Sequence, residues 1–225
     1  MKQLLFILLA SPEETGFVQV IKKNFIDGGP VFMSIIALTL IIGLAFCLER
    51  IIYLHLTHIH TKKFLSEMET RLEKGDPESA KKLAQNTRGP VASIYYQALT
   101  RISESVEVID KSITAYGSVQ VGLLEKNLSW ITLFIAAAPS LGFLGTVIGM
   151  VMAFDNIQLF GDINPSIVAG GMKVALITTV AGLIVALILQ LFYNYILSKI
   201  EHIVRHMEDD SILIMDCIIR YKKQH

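Results

Sequence analysis

The sequence predicts an all-α, polytopic membrane protein with three transmembrane helices. Of its 225 residues, 52% are hydrophobic and only 18% are charged, whereas a soluble domain carries about 25% charged residues. The apolar residues form three runs without Asp, Glu, Lys or Arg, at residues 31–48, 130–154 and 174–197. As a helix, each run is long enough to cross a hydrocarbon core of about 30 Å. Lipid offers no hydrogen-bond partners to backbone N–H and C=O groups, so these segments are expected to form helices, in which the groups bond to each other.

Residues 1–29 form an N-terminal segment before the first span. Within it, residues 4–10 are apolar and follow Lys2, which resembles the hydrophobic part of a signal peptide. The run is at the short end for that purpose, so we expect a short interfacial segment instead. The first transmembrane helix is predicted over residues 30–54, with Glu49 and Arg50 at its inner end.

Residues 55–129 are predicted to form a helical loop domain. Phe64, Met68 and Leu72 recur at helical spacing, and Gly75 ends that helix. The next helix begins with Asp76 as its N-cap and a proline at the first helical position. From residue 106 the apolar pattern continues into the second span, residues 130–154, without a strong breaker. We therefore expect one long helix there that projects into the cytoplasm.

A short link, residues 155–173, precedes the third span at 174–197, and residues 198–225 form the tail. Apolar residues in the tail keep near-heptad spacing, which predicts that the third span continues as an amphipathic cytoplasmic helix. Such a helix needs an apolar partner, from the loop domain or from another subunit. The residues of this stripe are Ile196, Ile200, Ile203, Met207, Ile214 and Ile218.

The charged residues indicate the orientation. Lys and Arg together number 20, and Asp and Glu together also number 20, so the formal net charge is zero. The chain therefore has no net positive field that would favour a nucleic-acid partner. The cations concentrate in residues 50–129 and in the tail, whereas residues 155–173 hold only Lys173. The positive-inside rule places the N-terminus and the link on the outer, periplasmic side, and the loop domain and C-terminus in the cytoplasm. Lys173 is expected to extend its ammonium group to the interface.

Small residues recur on one face of each of the last two spans. Membrane helices associate through such faces because lipid offers them no hydrophobic drive to pair. One hairpin packing on itself would explain a single stripe, whereas two matched stripes with cytoplasmic extensions favour an oligomeric helical bundle. The stripes are Ala138, Gly142, Gly145, Gly149 and Ala153 in span two, and Gly171, Ala175, Thr179, Gly182 and Ala186 at span three.

Thr146, Thr178 and Thr179 lie beside these small residues. A threonine in a membrane helix often donates its hydroxyl to a carbonyl of the preceding turn. For each threonine taken singly, this explanation has the same weight as a role in ion passage. Three hydroxyls at similar depths can instead line a narrow polar path for an ion. Pro139 removes one helix hydrogen bond and is predicted to bend span two, where Ser140 compensates.

Two segments of the last two spans carry distinctive motifs: residues 136–150, AAAPSLGFLGTVIGM, and residues 175–183, ALITTVAGL. They resemble the second-span and third-span signatures of the MotA/TolQ/ExbB proton channel family. Three spans with one large cytoplasmic loop look like the ExbB/TolQ branch and not the four-span flagellar stator. Val174 stands where many relatives have Glu.

The resemblance implies a homo-pentamer in the bacterial inner membrane, with a pore formed by helices two and three. Inside it would lie an ExbD- or TolR-like single-span partner whose membrane Asp takes up and releases the ion. A TonB-like protein would carry the energy to an outer-membrane process such as TonB-dependent import. The uncharged spans agree with this division of labour, because a proton relay needs an ionisable group. Thr146, Thr178 and Thr179 would then offer hydroxyls to that carboxylate.

No enzyme activity, cofactor or metal site is expected. The sequence has no phosphate-binding glycine loop or nucleophile elbow, and two cysteines do not form a metal knuckle. Two function classes remain: an ion-driven motor subunit, and a non-conducting oligomeric scaffold or adaptor that uses the same small-residue faces.

Overall fold

The computed structural model describes residues 16–57, 61–160 and 165–224. The segment at residues 4–10 lies outside this part of the chain. The described residues form helices and no strand, which confirms the all-α class. The helices are α1 (Phe17–Asp27), α2 (Pro30–Thr57), α3 (Thr61–Glu73), α4 (Pro77–Asn86), α5 (Pro90–Thr100), α6 (Val106–Leu124), α7 (Leu128–Phe160) and α8 (Pro165–Gln224).

Three helical stretches are long and apolar enough to cross a membrane. Within the described residues they are Pro30–Thr57, Val106–Leu159 and Val168–Lys223, and each contains one of the three predicted spans. With 60 residues, α8 is roughly 90 Å long, about three times the hydrocarbon thickness. Much of α8 must therefore lie outside the apolar core of a bilayer.

The chain divides into two compact units. The first consists of Met1–Leu44 and Thr132–Gln190, and the second of Ala45–Ile131 and Leu191–His225. In the first unit, α2 approaches α8 at Gly43, where an added Cβ atom would lie 2.7 Å from a methyl carbon of Leu189. A side chain at position 43 would therefore require the Leu189 side chain to shift.

Local signals in the second unit have the predicted effect. Gly75 adopts a φ of +73° after α3, and the Asp76 carboxylate accepts a 3.0 Å hydrogen bond from the Ser79 amide at the start of α4. The predicted tail stripe is also confirmed, because its members are buried apart from Ile203, which is half-buried. The buried members are Ile196, Ile200, Met207, Ile214 and Ile218.

The continuous helix predicted from residue 106 into span two is wrong. α6 ends at Leu124 and α7 begins at Leu128, and between them Asn127 has a φ of +67°. Asparagine tolerates this left-handed conformation better than most residues. The guanidinium of Arg50 donates to the carbonyls of Leu123 and Leu124 at 3.2 and 3.3 Å. These bonds satisfy carbonyl groups that the end of α6 exposes.

Candidate functional site

The small residues of α7 and α8 bring the two backbones into contact. A Cβ atom added at Gly182 would lie 2.5 Å from the carbonyl oxygen of Ala138. A Cβ atom added at Gly142 would lie 2.9 Å from the carbonyl oxygen of Thr178. Both distances are too short for a real Cβ atom, so only glycine fits at this helix crossing.

The contact continues along both helices. An added Cβ atom at Gly149 would lie 3.0 Å from the carbonyl oxygen of Gly171, and one at Gly171 would lie 2.5 Å from the Cβ atom of Ala153. Ala175 is 2% exposed and packs in the same face. The two predicted stripes therefore meet each other within one chain.

Two of the predicted threonines form a hydroxyl pair across this contact. The Oγ1 atoms of Thr146 on α7 and Thr179 on α8 are 2.6 Å apart. Each hydroxyl also lies within reach of the Gly142 carbonyl oxygen, at 3.2 Å for Thr146 and 3.3 Å for Thr179. Thr179 has a second acceptor, the carbonyl oxygen of Ala175, at 3.2 Å. Both side chains remain half-buried.

Thr178 occupies a different environment. Its side chain is fully buried, and its hydroxyl donates to the carbonyl oxygen of Ala175 at 2.9 Å. Its Oγ1 atom would lie 2.5 Å from a Cβ atom added at Gly145. The absence of a side chain at Gly145 therefore makes room for Thr178, and the Thr178 hydroxyl is used within the helix contact.

The hydroxyl pair can act as a donor or an acceptor. A hydroxyl has one hydrogen to give and two lone pairs, so only one of the two threonines donates to the other. That donor can turn to a backbone carbonyl or to an incoming polar group without leaving its helix. The pair can therefore bond to a carboxylic acid or to a carboxylate, but it cannot hold a net charge itself.

Pro139 lies inside α7, as predicted. The hydroxyl of Ser140 donates to the carbonyl oxygen of Ala136 at 2.9 Å, one position along from the Ile135 carbonyl that Pro139 cannot serve. The bend at Pro139 stays a prediction.

Sequence reasoning missed one partner in the first unit. The ammonium of Lys173 donates to the Oδ2 atom of Asp27 at 2.6 Å, with 54% of the Lys173 side chain exposed. Asp27 ends α1, 146 positions away in sequence, and no sequence pattern links the two residues. That the Lys173 ammonium lies at the membrane interface stays a prediction.

The described residues contain no group of three or more His, Cys, Asp or Glu that could hold a metal ion. The rings of His202 and His206 lie 4.5 Å apart on α8, edge to face. Two imidazoles do not complete a metal site, since a structural zinc ion takes four ligands.

Comparison with known sequences identifies the family. Residues 86–209 match the MotA/TolQ/ExbB proton channel family, a stretch that includes α7, the threonines and the first part of the tail. The chain belongs to this family. The resemblance in residues 136–150 and 175–183 is thereby confirmed.

Several relatives of this proton channel family member carry ExbB names. A putative biopolymer transport protein ExbB homolog of Methanothermobacter thermautotrophicus is 30% identical over 83% of this chain and 66% of its own length. The ExbB-like 3 protein of a Synechocystis species is 27% identical, over 74% of this chain and 80% of its own length. Biopolymer transport protein exbB1 of Vibrio cholerae is 34% identical over 36% of this chain and 39% of its own length. These names support the ExbB/TolQ-like branch for this multi-pass membrane protein.

Proposed function

We propose that this chain is an ExbB/TolQ-like subunit of a motor driven by the proton-motive force. It forms a homo-pentameric pore in the bacterial inner membrane, with its C-terminus in the cytoplasm. An ExbD- or TolR-like single-span partner supplies a membrane Asp inside the pore. Through a TonB-like protein the motor transmits energy to an outer-membrane process such as TonB-dependent import.

The Thr146–Thr179 hydroxyl pair is the observation that carries this proposal. The surrounding apolar windows, residues 31–48, 130–154 and 174–197, contain no carboxylate or cation. A polar pair is therefore available where the chain has nothing that changes charge. A carboxylate from a partner is costly to desolvate unless it is hydrogen-bonded, and this pair supplies donors for it.

Thr178 has a supporting role in the proposal. Since its side chain is fully buried and its hydroxyl serves the Ala175 carbonyl, it maintains the helix contact that aligns the pair. The pore-lining role is assigned to Thr146 and Thr179, whose side chains remain half-buried.

The test compares threonine variants in proteoliposomes that contain the chain and its carboxylate-bearing partner. Thr146→Val and Thr179→Val keep the shape but remove the hydroxyl, and each should lower proton flux about tenfold or more, as expected for a lost hydrogen bond to a charged group. The matching Thr→Ser variants keep the hydroxyl and should retain most of the flux. Native mass spectrometry should show the same assembly for all four variants.

Thr39→Val is the control outside the site. Thr39 is a buried threonine of α2 whose hydroxyl donates to the carbonyl oxygen of Ile35 at 2.9 Å, so its loss should leave flux unchanged. Full flux in both site variants would refute the role of the hydroxyl pair, and a lack of flux in the wild-type complex would support the non-conducting scaffold instead. Rapid proton flux by the chain without any partner would also refute the proposal, because the titrating group would then belong to this chain.

A further inference from the structure

The second unit carries an apolar groove with acidic residues along it. This acidic groove has a volume of about 650 Å³ and lies between α6 and α8, with one contribution from α5. Its charged residues are Asp110, Glu208 and Asp216, and no Lys or Arg lines it in the described part of the chain. Among its apolar residues, Ile212 is 64% exposed.

A second groove with basic residues lies between α5 and α6. This basic groove has a volume of about 420 Å³, and its charged residues are Arg101 and Lys111. Of its apolar residues, Val108 is 39% and Val119 is 56% exposed. The Nη1 atom of Arg101 also lies 3.6 Å from the Oε2 atom of Glu104, in an ion pair whose two side chains are each 42% exposed. So exposed a pair is weak, and it leaves Arg101 able to meet another carboxylate.

The two grooves occupy different sides of α6. Asp110 and Val121 are among the α6 residues of the acidic groove, and Val108 and Val119 are among those of the basic groove. At about 100° per residue, the mean directions of the two full sets of α6 residues differ by roughly 160°. One molecule therefore presents an acidic surface and a basic surface on nearly opposite sides of the same helix.

Contiguous exposed apolar patches, such as the apolar lining of a groove, mark sites that another molecule covers, whereas single exposed apolar side chains do not. Ile212 and Val119 lie outside the predicted spans, so lipid contact does not explain their exposure. The sign of the charges selects the occupant, because the acidic groove needs an apolar surface flanked by cations. The side of α6 that carries Val108, Lys111 and Val119 has that chemistry.

We propose that the acidic groove of one copy receives the basic groove side of α6 from the next copy. The contact is heterologous, since two different surfaces of the chain meet, and repetition of such a contact closes a ring when the rotation between neighbouring copies divides a full turn. This inference rests on the homo-oligomer of the proposed function and adds the surfaces through which neighbouring copies recognise each other. The formal net charge of zero leaves no overall repulsion between copies.

Disulfide cross-linking in native membranes tests the direction of the contact. Cys47 and Cys217 are first replaced, by Ala and Ser. Val119→Cys together with Ile212→Cys should then give an oxidised ladder of dimers, trimers and higher species that ends at the closed ring. Either cysteine alone should give monomers. Efficient dimers from Ile212→Cys alone, or no ladder from the double variant, would overturn the proposal.

Charge exchange tests the recognition chemistry. Lys111→Glu should reduce the oligomer seen by native mass spectrometry about tenfold, and adding Glu208→Lys in the same chain should restore most of it. Lys82→Glu makes the same charge change at an exposed position of α4 and should have no effect. If the groove binds a different protein or a lipid, exchange within one chain will not restore the oligomer, and the proposal fails.

These readouts do not depend on transport. A Thr146→Val chain should form the same ladder, so a wrong proton pathway and a wrong subunit contact give different results. Loss of the ladder with normal flux contradicts the groove contact alone. An intact ladder with normal flux in the Thr146→Val and Thr179→Val variants contradicts the pathway alone.

Discussion

The first and second units are both helical, but their helices pack by different means. In the first unit α7 and α8 meet through glycine, alanine and threonine, and an added Cβ atom at Gly182 would lie 2.5 Å from a backbone oxygen. The second unit also buries large apolar side chains, for example Met68, Ile94, Leu124 and Ile214. Lipid removes the advantage of pairing large apolar side chains, so close backbone approach takes their place. Outside lipid, burial of those side chains stabilises the fold.

A glycine-to-alanine exchange in each unit should give opposite results. Gly182→Ala should lower the stability of the protein in detergent by about 2 kcal/mol or more, because overpacking at a backbone contact forces the helices apart. Gly122→Ala in α6, where an added Cβ atom meets nothing within 4 Å, should raise it by about 0.5–1 kcal/mol, since alanine favours helix. Denaturant titration followed by circular dichroism measures both.

One result from these two variants would contradict the difference in packing between the two units. Destabilisation of similar size by Gly182→Ala and Gly122→Ala would mean that the two units respond alike to an added methyl group. The close contact of α7 and α8 would then not depend on glycine.

The second unit contains a buried acid that should make its stability depend on pH. Asp210 is 5% exposed, and its Oδ2 atom has no hydrogen-bond partner among the described residues. The hydroxyl of Tyr95 donates to the backbone oxygen of Asp210 at 3.1 Å, not to the carboxyl. Burial raises the pKa of Asp210 above its usual range, His206 acts in the opposite direction, and the charge of Asp209 adds to the increase.

A raised carboxyl pKa favours the protonated acid in the folded state. Stability should therefore be greatest below the ordinary carboxyl pKa and should fall as pH rises, because the unfolded chain ionises first, until the folded carboxyl also ionises. Asp210→Asn should flatten this decline, and the difference should be about 1–3 kcal/mol at neutral pH, the cost of an unsatisfied buried polar group. Thermal unfolding across pH measures it.

Asp209→Asn is the matched control, since Asp209 is the exposed neighbour on the same helix. It should keep most of the pH dependence of the wild-type chain. A wild-type profile that rises with pH, or an unchanged profile in Asp210→Asn, would contradict a raised pKa of Asp210 in the folded protein.

Much of the first unit was predictable from sequence because its signals are local. Uncharged runs of span length mark the membrane helices, and the spacing of Gly142, Gly145 and Gly149 marks the face that meets α8. The pairing of Thr146 with Thr179 follows once those faces meet. Sequence could not distinguish half-buried Thr179 from fully buried Thr178, because adjacent positions on one helix differ by about 100° in direction and the neighbouring helix decides which is covered.

The second unit shows where the sequence signals were insufficient. The break between α6 and α7 depends on Asn127 and on the bonds from Arg50 to distant carbonyls, and apolar periodicity does not register either feature. The buried position of Asp210 leaves only a weak trace, an interruption of the heptad stripe between Met207 and Ile214. A charged residue at such a position is normally assigned to the surface.

The smallest effect is expected for the ion pair of the first unit. Lys173→Met should cost under about 1 kcal/mol, and added salt should reduce that cost further, because exposed pairs are screened. The pair of Arg205 with Glu201 on α8, at 3.8 Å and with side chains 73% and 58% exposed, provides a comparison within one helix. Lys173 and Asp27 join separate helices and approach more closely, at 2.6 Å, so their coupling in a double-mutant cycle should exceed that of the helical pair. Equal coupling would mean that the Lys173–Asp27 contact adds nothing to the packing of α1 against α8.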